Sequence, residues 1–194
     1  MSKLYFRYGA MNSGKSTHLM QVAHNYEERG MEVIIIKPST DKKGGDKLVS
    51  RLGVERKVDL LINDDQNIYN EVKKWQDEKY KIDCILVDEV QFFKAYQIDQ
   101  LFEIAVCLDI PVICYGLRTD FKMQGFEGST RLLLLAHSIE ELKTICKCGK
   151  KAILNGRKIN GKFVFEGEQV AIDNIDNVEY ESLCGHCYFK FKNQ

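Results

Sequence analysis

Two hydrophobic periods alternate along the first 141 residues, and their order predicts an architecture. Short, nearly continuous apolar runs mark strands at Leu4-Tyr5-Phe6-Arg7-Tyr8 and at Glu32-Val33-Ile34-Ile35-Ile36-Lys37, the latter ended by Pro38. Two more lie at residues 82–87, running into Asp88, and at Pro111-Val112-Ile113-Cys114-Tyr115. Between the runs, apolar residues recur at helical spacing. Leu19, Met20, Val22, Ala23 and Tyr26 share one face of residues 17–29, with Gly30 as the stop. Ile68, Val72 and Trp75 do the same in residues 66–78, as do Ile98, Leu101, Phe102, Ala105 and Leu108 in residues 95–108. Residues 132–138 belong to a further helix. Strands apolar along their whole length need cover on both faces, so the pattern predicts a mainly parallel sheet with helices on either side. Right-handed crossovers then make it a doubly wound α/β sheet.

Two stretches break the alternation. Residues 39–53 are glycine-rich and charged, without an apolar period; they read either as a lid carrying cations toward a phosphate or as a plain solvated connection. From about Ile145 onward glycines and cysteines cluster and the helical pattern stops. The chain is therefore expected to divide into an α/β unit at 1–141 and a small cysteine-bearing unit at 142–194. A length of 194 residues suits that division, and 44 % hydrophobic with 29 % charged residues excludes a disordered chain. The apolar runs are too short to span a bilayer and no targeting segment is evident, so a cytoplasmic protein without membrane contact is expected.

The chemistry begins between the first strand and the first helix. Gly9-Ala10-Met11-Asn12-Ser13-Gly14-Lys15-Ser16 matches the phosphate-loop pattern G-x-x-x-x-G-K-[S/T] in its strand–loop–helix context. Backbone N–H groups would curl around the phosphates at a helix N-terminus, Lys15 would reach the outer phosphates, and the Ser16 hydroxyl would ligate Mg²⁺. Asp88 and Glu89 end an apolar strand in the manner of a Walker B element. Asp88 is the expected Mg²⁺ carboxylate, on the strand neighbouring the phosphate loop; strand alternation would turn Glu89 toward an acceptor, as general base. Two acids capping the next helix is the plainer alternative. Phe92, Phe121 and Phe126 follow strand ends on the same side of the sheet, where a flat base could stack, although core packing accounts for many phenylalanines.

Cys146-Lys147-Cys148 and Cys184-Gly185-His186-Cys187 form two knuckles separated by 35 residues. Four soft ligands from two tight turns suit structural Zn²⁺, with His186 as a substitute for one of them. Cys84, Cys107 and Cys114 sit in apolar runs and are expected in the core. Residues 142–194 hold nine Lys/Arg and six Asp/Glu, and the whole chain has a formal net charge of zero, so a nucleic-acid partner is disfavoured.

The phosphate loop, the Asp88-Glu89-Val90-Gln91-Phe92-Phe93 segment, Tyr115-Gly116-Leu117-Arg118-Thr119-Asp120-Phe121 and the two cysteine pairs together resemble the type II thymidine kinases. The resemblance extends over essentially the whole chain. It implies a P-loop, RecA-like fold with a zinc-held lasso loop, and transfer of the γ-phosphate of ATP to the 5′-hydroxyl of thymidine or deoxyuridine. It places Gly9 to Ser16 with Asp88, Glu89, Val90 and Gln91 around the nucleotide, Glu89 as base, and Phe92, Phe121 and Phe126 as walls of the base pocket. Val170, Ala171, Ile172 and Asp173 would read the base through backbone groups, and Tyr180 would contact the nucleoside. Where the family's loop carries Asp-x-Arg, this chain has Asp41-Lys42-Lys43, so either Lys43 or Arg51 supplies the catalytic cation. A homotetramer and feedback inhibition by thymidine triphosphate are also implied. An ATP-driven nucleic-acid module, with Glu89 activating water, and a regulatory nucleotide-binding protein remain as alternatives from other classes.

Overall fold

A computed structural model describes residues 1–40, 47–49, 53, 55–78, 81–170 and 177–194. The chain runs β1 (Leu4–Tyr8), α1 (Lys15–Glu27), β2 (Val33–Pro38), β3 (Lys47–Val49), β4 (Glu55–Lys57) and β5 (Leu60–Ile62). It continues through α2 (Ile68–Glu78), β6 (Cys84–Val87), α3 (Ala95–Cys107), β7 (Val112–Gly116), α4 (Glu127–Leu135) and β8 (Ser138–Glu141). The C-terminal part holds β9 (Thr144–Ile145), β10 (Lys151–Ala152), β11 (Leu154–Ile159), β12 (Lys162–Val164), β13 (Val178–Leu183) and α5 (Gly185–Lys192).

Six strands form one sheet in the order β5-β2-β6-β7-β1-β8, and every pairing in it is parallel. Its two faces bury different side chains, as the pleat requires. Phe6, Ile34, Ile36, Ile85, Val87 and Val112 pack under α2, α3 and α4, through Val72, Ile98, Leu101 and Leu132. Val33, Ile35, Leu86, Ile113 and Tyr115 pack under α1, through Leu19, Met20 and Ala23, with Leu48 and Val58 beside them. The doubly wound parallel sheet is thus the one expected.

Three local expectations change. Strand β7 lies between β1 and β6, so Asp88 is one strand removed from the phosphate loop rather than on its neighbour. The last predicted helix starts earlier and stops at Leu135; Ser138 opens β8, which pairs with β1 through Tyr5↔Ser138 to Tyr8↔Glu141. Within the expected 39–53 loop, β3 pairs antiparallel with β4 and buries Leu48. Residues 41–46, 50–52 and 54 lie outside the described residues, and with them Lys43 and Arg51.

At the end of β6 the chain makes a 3-10 turn, Val90–Phe92, which α4 covers. Gly128 permits that approach: a Cβ there would stand 2.8 Å from the Phe93 carbonyl oxygen. Gly128→Ala is expected to cost about 1–3 kcal/mol of stability, because backbone must shift to admit the methyl. Denaturant unfolding checks this, and an unchanged midpoint would contradict so close a fit.

Candidate active site

The carboxyl ends of parallel strands gather the chemistry at one edge of the sheet, as in other open α/β folds. The phosphate loop leaves β1 with Asn12 at φ 65° and Gly14 at φ 77°, two left-handed residues that turn it sharply before α1. Gly14 serves here because positive φ costs it little. Lys15 is buried, and its Nζ donates to the carbonyls of Gly9 (3.3 Å) and Ala10 (3.0 Å), poised inside the loop. His18 Nδ1 lies 3.0 Å from the Tyr115 hydroxyl, and Arg7 Nη1 donates to the same oxygen at 3.0 Å, which ties α1 to the sheet. Burial pushes that phenol up to about 12, so it stays neutral.

Helix α1 crosses the sheet over β7 toward β6 and β2. That path brings the Ser16 hydroxyl to 3.3 Å from Asp88 Oδ2, although Asp88 is not on the adjacent strand. The result is a hydroxyl and a buried carboxylate side by side at the helix N-terminus: hard oxygen donors of the kind Mg²⁺ takes when it also binds phosphates. The residues present fit that ion.

Glu89 does not continue the strand. Its backbone is left-handed (φ 48°) and it caps the 3-10 turn, so its direction is set by this bend and not by strand alternation. Gln91 holds it: Nε2 of the buried Gln91 donates to Glu89 Oε2, while Gln91 Oε1 accepts from Leu117 N at 3.1 Å. Val90 is fully buried in the core against the sheet. Val90 and Gln91 are both buried, and Gln91 braces Glu89 from beneath, because the turn points both side chains inward.

Of the expected aromatic walls, Phe92 is half-buried and meets Phe126 edge-on, with ring centroids 5.7 Å apart. Phe121 and Phe126 are buried. One face of Phe121 is already covered by the Arg157 guanidinium, whose carbon lies 3.8 Å from the ring centroid. Tyr180, on β13, accepts from Arg157 Nε at 3.0 Å. Val170 is exposed; Ala171, Ile172 and Asp173 lie outside the described residues. Sequence reading missed Asn155, Arg157 and Gln169, which carry no motif of their own.

The C-terminal part has its own small core of Leu154, Leu183 and Tyr188 with Phe163 and Phe165. Sheet β12-β11-β13 is antiparallel, and the Tyr188 hydroxyl donates to Phe121 O at 2.8 Å, tying it to the α/β sheet. Cys146, Cys148, Cys184 and Cys187 converge so that their sulfurs all lie within 4.8 Å of one another. Cys148 Sγ and Cys184 Sγ are 3.5 Å apart, close to the about 3.8 Å that tetrahedral sulfurs adopt around Zn²⁺ at a Zn–S distance of about 2.3 Å. The Cys187 amide donates to Cys184 Sγ at 3.4 Å and holds that thiol down to about 7, favouring the thiolate a metal needs. His186 is exposed and is not among the four. Cys84 and Cys114 are buried with raised thiols, as core residues are; Cys107 is exposed instead, because it falls on the outer face at the end of α3. No helix among the described residues is long and apolar enough to cross a membrane.

Comparisons with known proteins bear on the family of the chain. Among solved structures, the replication initiator DnaA bound to AMPPCP and single-stranded DNA is similar at a TM-score of 0.44 and 18 % identity, over 74 % of this chain and 41 % of that one. The thymidine kinase from Francisella tularensis subsp. holarctica (strain LVS) is 43 % identical over 189 residues, covering 95 % of each chain. That of Lactiplantibacillus plantarum is 46 % identical over 191 residues (97 % of this chain, 96 % of its own), and that of Enterobacteria phage T4 is 46 % identical over 187 (95 % and 94 %). The thymidine kinase family profile matches residues 2–188. The chain belongs to the thymidine kinase family, and with it to the ATP-dependent nucleoside kinases.

Proposed function

We propose that this protein transfers the γ-phosphate of ATP to the 5′-hydroxyl of thymidine, and of deoxyuridine, with Glu89 as the general base. The observation that carries this reading is the position of Glu89. It follows Asp88 directly, is braced by Gln91, and stands beside a hydroxyl–carboxylate pair suited to Mg²⁺. A base one residue from the metal carboxylate takes the acceptor proton as the acceptor oxygen attacks phosphorus. Ser16 and Asp88 would hold Mg²⁺, which neutralises phosphate charge when bound; Lys15 neutralises the rest. Phe92 and Phe126 wall the base pocket, with Phe121 packed behind and Tyr180 at its edge. Either Arg51 or Lys43 supplies the loop cation, and the backbone of Val170 to Asp173 reads the base. The test is ADP release from ATP and Mg²⁺ with and without thymidine. Acceptor-dependent release supports the kinase; release stimulated only by DNA or RNA would replace it with the nucleic-acid motor.

Residues 142–194 act as a separate unit whose zinc, held by Cys146, Cys148, Cys184 and Cys187, anchors the lasso. Bound Zn²⁺ would supply the coordination cross-link that a core this small lacks. One Zn²⁺ per chain is expected by elemental analysis. Cys184→Ser should leave the α/β sheet folded by circular dichroism while raising the thymidine KM much more than the ATP KM, since Tyr180 and the loop before it lose their anchor. A metal-free wild-type protein with full activity, or a variant whose two KM values rise in step, would defeat this assignment. The same proposal includes a cytoplasmic homotetramer inhibited by thymidine triphosphate. Exposed Leu134 and Ile139, on α4 and edge strand β8, offer apolar surface for such assembly.

A further inference from the structure

Strand β11 touches both halves of the active site with two side chains. Alternation along a strand puts Asn155 and Arg157 on one face. Gly156 between them looks into the C-terminal core, where a Cβ would stand 2.7 Å from Leu183 Cδ1. Asn155 is 3 % exposed. Its Oδ1 accepts from the Met11 amide of the phosphate loop at 2.8 Å, and its Nδ2 donates to Thr119 O at 3.0 Å. Arg157 is 4 % exposed. It covers Phe121 and spends its fork on the segment leading into the lasso: Nη1 donates to Glu168 O at 2.7 Å, Nη2 to Gln169 O at 2.8 Å, and Nε to the Tyr180 hydroxyl. Gln169 Nε2 in turn reaches Asp120 Oδ2 at 3.2 Å.

Among the described residues no carboxylate pairs with Arg157. Its acceptors are carbonyls and a phenol, so the planar fork matters here and the charge alone would not suffice. A buried amide that satisfies a phosphate-loop N–H is equally a matter of shape, because it fixes where that N–H points. The two contacts lie one strand repeat apart on one backbone. They therefore tie the phosphate loop and the segment at Glu168 and Gln169 to one strand.

We propose that Asn155 and Arg157 are positioning residues for phosphoryl transfer, Asn155 setting the phosphate loop and Arg157 setting the lasso from one rail. The inference rests on the kinase reading above and extends it to residues outside every motif. A small misplacement of reacting groups lowers rate steeply, so both contacts should be visible in kinetics.

The experiment uses the full-length zinc-loaded enzyme with Asn155→Ala and Arg157→Lys, measuring kcat and both KM values alongside zinc content. Arg157→Lys keeps the cation and loses the fork; it should raise the thymidine KM about tenfold and leave the ATP KM within about twofold. Asn155→Ala should lower kcat about tenfold and raise the ATP KM, with the thymidine KM within about twofold. Opposite splits from residues two apart, at an unchanged one zinc per chain, are what positioning predicts. If both variants move both KM values together, β11 merely supports the fold and the inference falls; if neither moves anything, it falls as well. A wild-type enzyme without thymidine-dependent turnover would overturn the kinase reading, and this inference with it.

Discussion

Replacing Glu89 by Gln is expected to lower kcat by roughly 10²–10⁴-fold, with the fold and ATP binding kept. The change is nearly isosteric. Gln91 Nε2, which now donates to Glu89 Oε2, would still find an amide oxygen to bond, and the left-handed bend that aims residue 89 is backbone geometry that the substitution does not touch. What disappears is the ability to take a proton from the acceptor hydroxyl. Steady-state kinetics with saturating ATP and nucleoside measures this directly, and a variant retaining more than about a tenth of wild-type kcat would show that Glu89 is not the base.

Lys15→Ala is expected to lower kcat/KM for ATP by at least roughly 10²-fold, for two reasons that act together. The ammonium group neutralises charge on the outer phosphates during transfer. It also holds the carbonyls of Gly9 and Ala10 at 3.3 and 3.0 Å, so its loss leaves two inward-facing acceptors of the loop without a cation. Arginine would not rescue it, since a planar fork does not fit a site built around a compact ammonium. An ATP titration of the variant, with circular dichroism to verify the fold, checks the point. Unchanged ATP KM and kcat would remove the phosphate-loop assignment.

The α/β half was legible because its signals are local. A continuous apolar run such as Val33 to Ile36 has few ways to be buried except between two helical layers, and all four residues are buried in β2. The phosphate loop likewise carries its mechanism in consecutive residues. Strand β8 escaped because Ser138 to Glu141 are polar except for Ile139 and mostly exposed: an edge strand needs only one partner and buries little, so its pattern resembles a loop. The order of strands was not legible either. That β7 intervenes between β1 and β6 follows from packing over the whole sheet, and no period along the chain records it.

In the site, contacts between motif residues were legible in the sequence, while contacts made through the backbone were not. Asp88 and Ser16, 72 residues apart, were both named from their motifs, and the structure brings them together. Val90 and Gln91 sit inside a matching segment, yet their side chains turn inward because Glu89 bends the backbone. Asn155 and Arg157 lie in a segment whose alternation is masked by glycine and by charged neighbours. Their partners are the backbone of Met11, Thr119, Glu168 and Gln169, and a backbone partner leaves no residue type to read. The four cysteines were legible for the opposite reason: a metal needs specific ligand atoms, and so specific residues.

The most direct test follows the fate of the transferred phosphate. The protein is incubated with Mg²⁺, thymidine and ATP labelled in its γ-phosphate, and the products are separated by chromatography. The account predicts label in thymidine 5′-monophosphate, in step with ADP formed and abolished in Glu89→Gln. Label appearing only as inorganic phosphate, at a rate indifferent to thymidine, would contradict it.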